Sequence, residues 1–213
     1  MELPGDVRVV DDVPAAFAAL VVERAPRSIA LCGAWLARKC YKKLRSAPLD
    51  WPNIEVFFGD ERFVPPGSED SNEGQARRAL LDRVEPRAVH GMYASGPIAA
   101  AADDYDALIR RSPPIDLIHL GLGPDGHTAS LFANTDALEE QQRFVVPNGD
   151  DLHPHPRLTF TFPAIARARL VVVAVSGAEK RDAIARIRAG EDLPAARIRA
   201  PEVIWLVDPD ALG

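Results

Sequence analysis

The sequence predicts an α/β protein of three layers, in which helices cover both faces of a mainly parallel sheet. Short runs rich in β-branched residues alternate with amphipathic stretches, and the runs end at Gly, Asp or Pro. Apolar runs separated by helical patterns are typical of crossover units and of parallel strands buried on both faces. No internal repeat or linker divides the chain, so we expect residues 1–213 to form a single domain.

Each predicted element follows from its apolar pattern. Six runs are expected to form the strands of the sheet: Val7–Val10, Ser28–Cys32, Ile54–Gly59, Asp116–Leu120, Leu170–Ser176 and Val203–Val207. Five amphipathic segments are expected to form helices: Ala15–Arg24, Ala34–Arg45, Asn72–Val84, Ile98–Arg110 and Glu179–Ala189. Arg157–Thr161 is predicted to be an additional strand near an edge, and Pro147–Pro156 the longest loop.

Composition excludes several classes of protein. The chain is 47% hydrophobic and 26% charged, enough to bury a core, and its 25 basic and 31 acidic residues give a net charge of −6. A nucleic-acid surface is therefore not expected. No apolar run approaches the ~18 residues of a membrane span, and the N-terminus lacks a signal-peptide pattern. We therefore expect a cytoplasmic protein, a monomer or a weak homodimer, that does not contact membranes.

The two cysteines are predicted to be free thiols of a reducing compartment. On a helix, Cys32 and Cys40 would lie about 12 Å apart, whereas a disulfide tolerates at most about 7 Å between Cα atoms. We expect Cys40 to be packed and Cys32 to lie near a loop. No metal site is expected beside them.

The segment Ile115–Phe132 carries the most specific chemical signal. An apolar strand runs into a glycine-rich turn that presents Asp125 and His127 and then, we expect, opens a helix. Open α/β sheets place their ligands at such strand ends. A histidine on this rigid support suits general base catalysis, Asp125 is expected to orient its imidazole, and the N–H groups that follow could stabilise an oxyanion.

Two further strand ends carry charged residues. After Phe57-Phe58-Gly59, we expect Asp60 and Arg62 to face the crevice, Glu61 to lie at the surface and Ser71 to cap a helix. In Ser176–Lys180, Ser176 and Glu179 fit a capping box. The positive charge of Lys180 is unfavourable at the positive end of the helix macrodipole. Its presence therefore favours an anion bound at this helix start.

The remaining candidates are one arginine and three histidines. Arg157 suits bidentate phosphate binding. His153 and His155 are interpreted as ordinary loop polarity beside Asp150 and Asp151, and His119 as a hydrogen-bonded core histidine.

Four motifs occur in an order that closely resembles the 6-phosphogluconolactonases, relatives of the glucosamine-6-phosphate isomerases and deaminases. They are F-F-G-D-E-R-F-V-P-P-x-x-x-D-S-N, L-G-L-G-P-D-G-H-T-A-S-L-F, P-x-R-L-T and S-G-A-E-K. The resemblance implies a single Rossmann-like α/β/α domain. It also implies cytosolic hydrolysis of 6-phospho-D-glucono-1,5-lactone without a metal or organic cofactor. It implies that His127 is the general base and that Arg62, Arg157 and Lys180 hold phosphate and sugar oxygens. Gly33, Asp60, Asn72 and Gly126 are the further pocket positions.

One segment departs from the family pattern. Where the family has a small-residue phosphate loop such as S-G-G-S-T-P, this chain reads Cys32-Gly33-Ala34-Trp35-Leu36-Ala37. Losing two charge-assisted donors would weaken phosphate binding by roughly 3–6 kcal/mol. In one interpretation, Trp35 turns into the core and the remaining cations suffice to bind the phosphate. In the other, the substrate is different or the catalytic activity is lost.

Three functions therefore stay open. The first is the lactonase, and the second is a sugar-phosphate binder or a lactonase for another lactone. The third is an amino-sugar-phosphate deaminase. It is disfavoured because those enzymes typically continue D-G-H with Phe, Asn and Glu, whereas this chain has Leu131-Phe132-Ala133-Asn134.

Overall fold

The computed structural model describes residues 2–213 and contains two sheets. In chain order the strands are β1 (Asp6–Val9), β2 (Ser28–Leu31), β3 (Glu55–Phe58), β4 (Asp60–Arg62), β5 (Ala88–Val89), β6 (Leu117–Gly121), β7 (Val145–Asn148), β8 (Arg157–Phe160), β9 (Leu170–Val175) and β10 (Glu202–Val207). Seven of them form a parallel sheet in the order β1-β10-β9-β6-β2-β3-β5. Every residue of β9 is buried, so both faces of the sheet are covered there. The predicted α/β fold is confirmed.

Seven helices connect the strands. They are α1 (Val13–Arg24), α2 (Trp35–Leu44), α3 (Asn72–Ala79), α4 (Ile98–Arg111), α5 (Phe162–Arg167), α6 (Arg181–Arg188) and α7 (Pro209–Leu212). Short 3₁₀ turns follow α3 at Leu81–Arg83 and precede α6 at Ala178–Lys180. Within residues 2–213, no helix combines the length and the apolar character needed to cross a bilayer.

The strand predicted at Arg157–Thr161 is not an edge strand of the main sheet. β8 is the central strand of a separate antiparallel sheet, β4-β8-β7. The chain leaves the main sheet at Gly59, and β4 turns to pair with β8. β7 occupies Val145–Asn148, so the predicted loop at 147–156 starts two residues later than expected.

Two local predictions were wrong. No helix follows Asp125-Gly126-His127: residues 128–134 form successive turns, and Ala129 and Asn134 have φ angles of 49° and 62°, which a helix cannot contain. Ser176 does not form a capping box, since its Oγ donates to Asp208 Oδ2 at 2.5 Å. Asp208 also accepts the Gly177 N–H.

Core polar groups fix the loop after β2. His119 is buried and inside the core as predicted, with Nδ1 3.1 Å from the Tyr41 hydroxyl. That hydroxyl also accepts the Cys32 N–H and donates to the Cys32 carbonyl. Burial lowers the pKa of His119 to about 3, so it stays neutral. Both cysteines are free, buried thiols. As predicted, Cys40 is packed in the core and Cys32 lies in a loop, directly after β2.

Glu61 is a buried cap of α3 rather than a surface residue, which corrects the sequence interpretation. Its carboxyl accepts hydrogen bonds from the Ser71 hydroxyl and from the N–H groups of Asn72 and Glu73 at 2.6–3.0 Å. Burial raises the pKa of this carboxyl to about 7, against those hydrogen bonds. Ser71 is the N-cap, as predicted, and accepts the Gly74 N–H.

Replacing Glu61 by alanine should destabilise the fold by at least about 2 kcal/mol, because it leaves buried donors at the start of α3 without an acceptor. Denaturant unfolding measures the effect. The matched control is Glu69→Ala, an exposed glutamate in the preceding loop, which should change stability by no more than about 0.5 kcal/mol. Equal stability of the two variants would contradict the capping role.

Candidate active site

A cavity of about 260 Å³ lies at the carboxyl ends of the parallel strands. It is open between the loops after β2, β3 and β6 and the small sheet, where an open α/β sheet places its ligands. Seven of the predicted site residues line it: Gly33, Asp60, Arg62, Asn72, His127, Arg157 and Lys180. The structure therefore brings together one imidazole and three cations from four distant segments.

His127 and Asp125 form a hydrogen-bonded pair beside the cavity. The Nδ1 of His127 lies 2.6 Å from Asp125 Oδ1, and the histidine side chain is 21% exposed. Partial burial acts to raise the pKa of Asp125, but the hydrogen bonds from the ring and backbone of His127, with the charge of His127, together outweigh it and lower the pKa to about 2. Asp125 is therefore a carboxylate at neutral pH, a partner that fixes the ring and leaves Nε2 as its other nitrogen.

Gly126, also predicted to bind substrate, does not line the cavity. Its φ is +89°, and a Cβ there would lie 2.6 Å from Leu193 Cδ1. Its N–H donates to the Gly123 carbonyl. Gly126 shapes the turn that presents His127.

Gly123 is a residue that the sequence interpretation did not single out. A Cβ at this position would lie 2.2 Å from His127 Nδ1 and 2.5 Å from Asp125 Oδ1. Only a glycine therefore leaves room for the pair.

We expect Gly123→Ala to lower kcat by about 10²-fold, the cost typical of displacing a catalytic group by about 1 Å. Steady-state kinetics with a melting curve for each variant would measure it. Gly59→Ala is the matched control, since a Cβ there would meet other atoms only at 3.8 Å or more. A Gly123→Ala variant with the wild-type kcat would show that the His127–Asp125 geometry is not critical.

The small sheet places two arginines opposite each other. Arg62 of β4 and Arg157 of β8 are direct cross-strand partners. The Nε atoms of both are buried and have no hydrogen-bond partner among residues 2–213. Burial lowers the pKa of Arg157, and the nearby Asp60 carboxylate opposes that effect. Like charges in register are unfavourable unless an anion lies between them, so this pair is suited to an anionic ligand.

Asp60 and Asn72 support this wall of the cavity. The Asp60 carboxylate accepts from Ser130 Oγ at 2.7 Å and from Asn72 Nδ2 at 3.2 Å. Asn72 Oδ1 is buried without a partner in the described chain. A Cβ on Gly33 would lie 1.9 Å from that oxygen, so glycine permits the close approach of the two loops.

Lys180 extends the cationic surface. It lies at the end of the 3₁₀ turn before α6 and lines the cavity. The Lys180 N–H donates to the Gly177 carbonyl, but its side-chain ammonium makes no hydrogen bond or ion pair with any residue in the range 2–213. It is therefore available to a ligand.

Trp35 does not turn into the core, and it does not fill the cavity. Its side chain is 54% exposed, with Lys39 Nζ 3.8 Å from the ring centroid. Trp35 and Leu36 instead line a smaller neighbouring cavity of about 120 Å³, which shares Gly33 and Lys180 with the larger one.

His153 also lines the cavity, although the sequence interpretation assigned it no role. Asp125, His127 and His153 each place one potential metal-ligand atom within 4.8 Å of the other two, a spacing compatible with a bound metal ion. However, Asp125 Oδ1 is hydrogen-bonded to His127, and three cations line the same cavity. These charges favour proton transfer over metal binding. The sequence signal for His153 is its spacing from Asp150, three residues earlier.

Known proteins are similar to this chain over most of its length. The family model described as glucosamine-6-phosphate isomerases/6-phosphogluconolactonase matches residues 7–205. A 6-phosphogluconolactonase of Synechocystis sp. is 42% identical, over 90% of this chain and 85% of its own length. One of Mycobacterium tuberculosis is 38% identical, over 92% and 88%.

Among solved structures, a 6-phosphogluconolactonase from Thermotoga maritima superposes with a TM-score of 0.83. It is 28% identical, and the match covers 95% of this chain and 99% of that one. The chain therefore belongs to the glucosamine-6-phosphate isomerase/6-phosphogluconolactonase family.

Proposed function

We propose that this protein hydrolyses 6-phospho-D-glucono-1,5-lactone to 6-phosphogluconate, in the cytosol, with His127 as the general base. The observation that carries the proposal is the convergence of the His127–Asp125 pair and three cations on one cavity. The names of the relatives support the same reaction.

In the proposed mechanism, Nε2 of His127 removes a proton from a water molecule as its oxygen attacks the lactone carbonyl. The Asp125 carboxylate holds a proton on Nδ1 and stabilises the imidazolium that forms, the usual role of a carboxylate behind a catalytic histidine. The tetrahedral intermediate then collapses, and the bond between the carbonyl carbon and the ring oxygen breaks.

The phosphate would be held by Arg62, Arg157 and Lys180. Guanidinium groups bind phosphate oxygens bidentately, and the two buried Nε atoms without partners are donors of this kind. These contacts would place the lactone carbonyl beside His127. The mechanism uses no metal or organic cofactor.

The direct test is hydrolysis of the phosphorylated lactone, measured as acceleration over buffer because such lactones open spontaneously. Unphosphorylated gluconolactone is the matched substrate. Strong acceleration of the phosphorylated lactone, and weaker acceleration of the other, is the expected result. If neither lactone is hydrolysed faster than in buffer, the remaining interpretation is a non-catalytic sugar-phosphate binder.

The second candidate is a lactonase for an unphosphorylated or differently shaped lactone, and the observation favouring it is the degenerate loop with exposed Trp35. Replacing Trp35 by serine and Leu36 by threonine would restore the two hydroxyl groups of the family loop. If the loop limits phosphate binding, KM for the phosphorylated lactone falls; an unchanged KM would show that the cations alone suffice. The deaminase alternative has no observation in its favour.

A further inference from the structure

His153 is a second imidazole whose orientation is fixed at the wall of the cavity. Its Nδ1 lies 2.9 and 3.0 Å from the two carboxylate oxygens of Asp150. Its ring stacks on Phe132, with centroids 4.2 Å apart and planes 11° from parallel. A solvated loop histidine needs neither constraint. The hydrogen bond and the stacking together leave Nε2 as the nitrogen that does not face Asp150.

His127 and His153 form two matching aspartate–histidine pairs. Their ring centroids are 5.0 Å apart and their planes are nearly perpendicular, at 78°. Both rings pack on Phe132, which His127 contacts edge-on. Each has its Nδ1 on a carboxylate, Asp125 or Asp150. The first pair supplies the base of the proposed mechanism, and the second has no function in it.

Opening a lactone needs an acid as well as a base. When the bond from the carbonyl carbon to the ring oxygen breaks, that oxygen would leave as a strongly basic alkoxide unless a proton reaches it. General acid catalysis of this kind contributes about 10²- to 10⁴-fold. The attacking and leaving oxygens are attached to the same carbon, so the groups that serve them must be neighbours, as these two rings are.

We propose that His153 is the general acid of this lactone hydrolysis, an inference that rests on the proposed function. Nε2–H of the His153 imidazolium donates its proton to the ring oxygen as the C–O bond breaks, and the electron pair of that bond becomes the O–H bond. His127 holds the proton taken from water. The new carboxylic acid returns one proton to His153, and His127 releases the other to solvent, so both residues regain their starting states.

The charges around His153 are consistent with this assignment. Burial acts to raise the pKa of Asp150, but the hydrogen bonds from the His153 ring and from the backbone N–H groups of His153 and Leu152, with the charge of His153, together outweigh it and lower the pKa. Asp150 is thus an anion that stabilises positive charge on the ring. The other titratable or charged groups that line the cavity or pair with its histidines are the Cys32 thiol after β2, Asp60 and Arg62 on β4, Asp125 and His127 after β6, Arg157 on β8 and Lys180 before α6. Glu61 on β4 and Glu179 beside Lys180 do not line the cavity.

The test is the pH dependence of kcat for His153→Gln, with the buffer rate subtracted at each pH. The wild-type profile should be bell-shaped, with the acidic limb reporting the base and the alkaline limb the acid. In His153→Gln we expect kcat to fall by about 10²-fold, KM to stay near the wild-type value and the alkaline limb to disappear. Asp150→Asn should move that limb without removing it.

The matched control is His155→Gln, two residues along the same loop. His155 pairs with Asp70 and does not line the cavity, so its variant should keep the wild-type profile. His153→Asn serves as the second variant if the glutamine variant melts early. A folded His153 variant that retains kcat and the alkaline limb would overturn the general acid while leaving the lactonase standing. A wild-type protein that gives no acceleration would overturn both.

Discussion

Replacing His127 by glutamine should reduce kcat on the phosphorylated lactone by about 10²- to 10⁴-fold, because the variant has no base to take a proton from water. KM should change little, since the cations that hold the phosphate remain. Rates must be compared after subtracting spontaneous hydrolysis, which sets the lower limit of the measurement. The His155→Gln variant controls for the loss of a histidine near the cavity.

The pH profile gives this prediction its sharper form. Because the pKa of Asp125 is lowered to about 2, Asp125 stays ionised as the pH falls from 7 to 4, and protonation of the carboxylate cannot cause a loss of activity in that range. The acidic limb of kcat/KM should therefore contain no contribution from Asp125. Wild-type kcat in His127→Gln, or a second loss of activity near pH 4, would contradict the assigned roles.

Replacing Lys180 by methionine should raise KM for the phosphorylated lactone by roughly 10- to 150-fold, equivalent to the 1.5–3 kcal/mol of a hydrogen bond to a charged group. The same variant should bind unphosphorylated gluconolactone as the wild-type protein does. Initial rates over a range of concentrations of both substrates measure this difference.

Lys180→Met is a direct test because the Lys180 ammonium makes no hydrogen bond or ion pair with the described residues. Its loss should therefore leave the melting temperature unchanged. Lys39→Met is the control, since Lys39 lies over the exposed Trp35 ring outside the His127 cavity. Equal effects of Lys180→Met on the two substrates would show that Lys180 does not bind phosphate.

The sequence predicts the main sheet well because its strands are short apolar runs buried on both faces. It does not predict β4, whose three residues Asp60–Arg62 are all charged and show no apolar alternation. β7 was missed because it contains Pro147, which a strand tolerates at the edge of a sheet, where β7 lies. The helix expected after His127 does not form, since Ala129 and Asn134 have positive φ angles that an α-helix cannot contain.

The site was predictable where a motif places a charged side chain at a strand end, as for His127, Arg62 and Lys180. His153 was not, because its position depends on how a long loop returns over Phe132, and no local pattern encodes that contact. Glu61 was misassigned for a related reason. Its burial arises from α3, whose start lies ten residues further along the chain.

Because the strand register places Arg62 opposite Arg157, the resistance of this protein to proteolysis should depend on the concentration of its ligand. Repulsion between the two guanidinium groups weakens the small sheet when no anion is bound, and a bound dianion would relieve that repulsion. At a hundredfold excess over Kd, such a ligand adds about 2.7 kcal/mol to the free energy of unfolding. Proteolysis that requires transient opening of the fold should therefore slow when phosphorylated sugar acids accumulate. Degradation should be fastest when no ligand is bound.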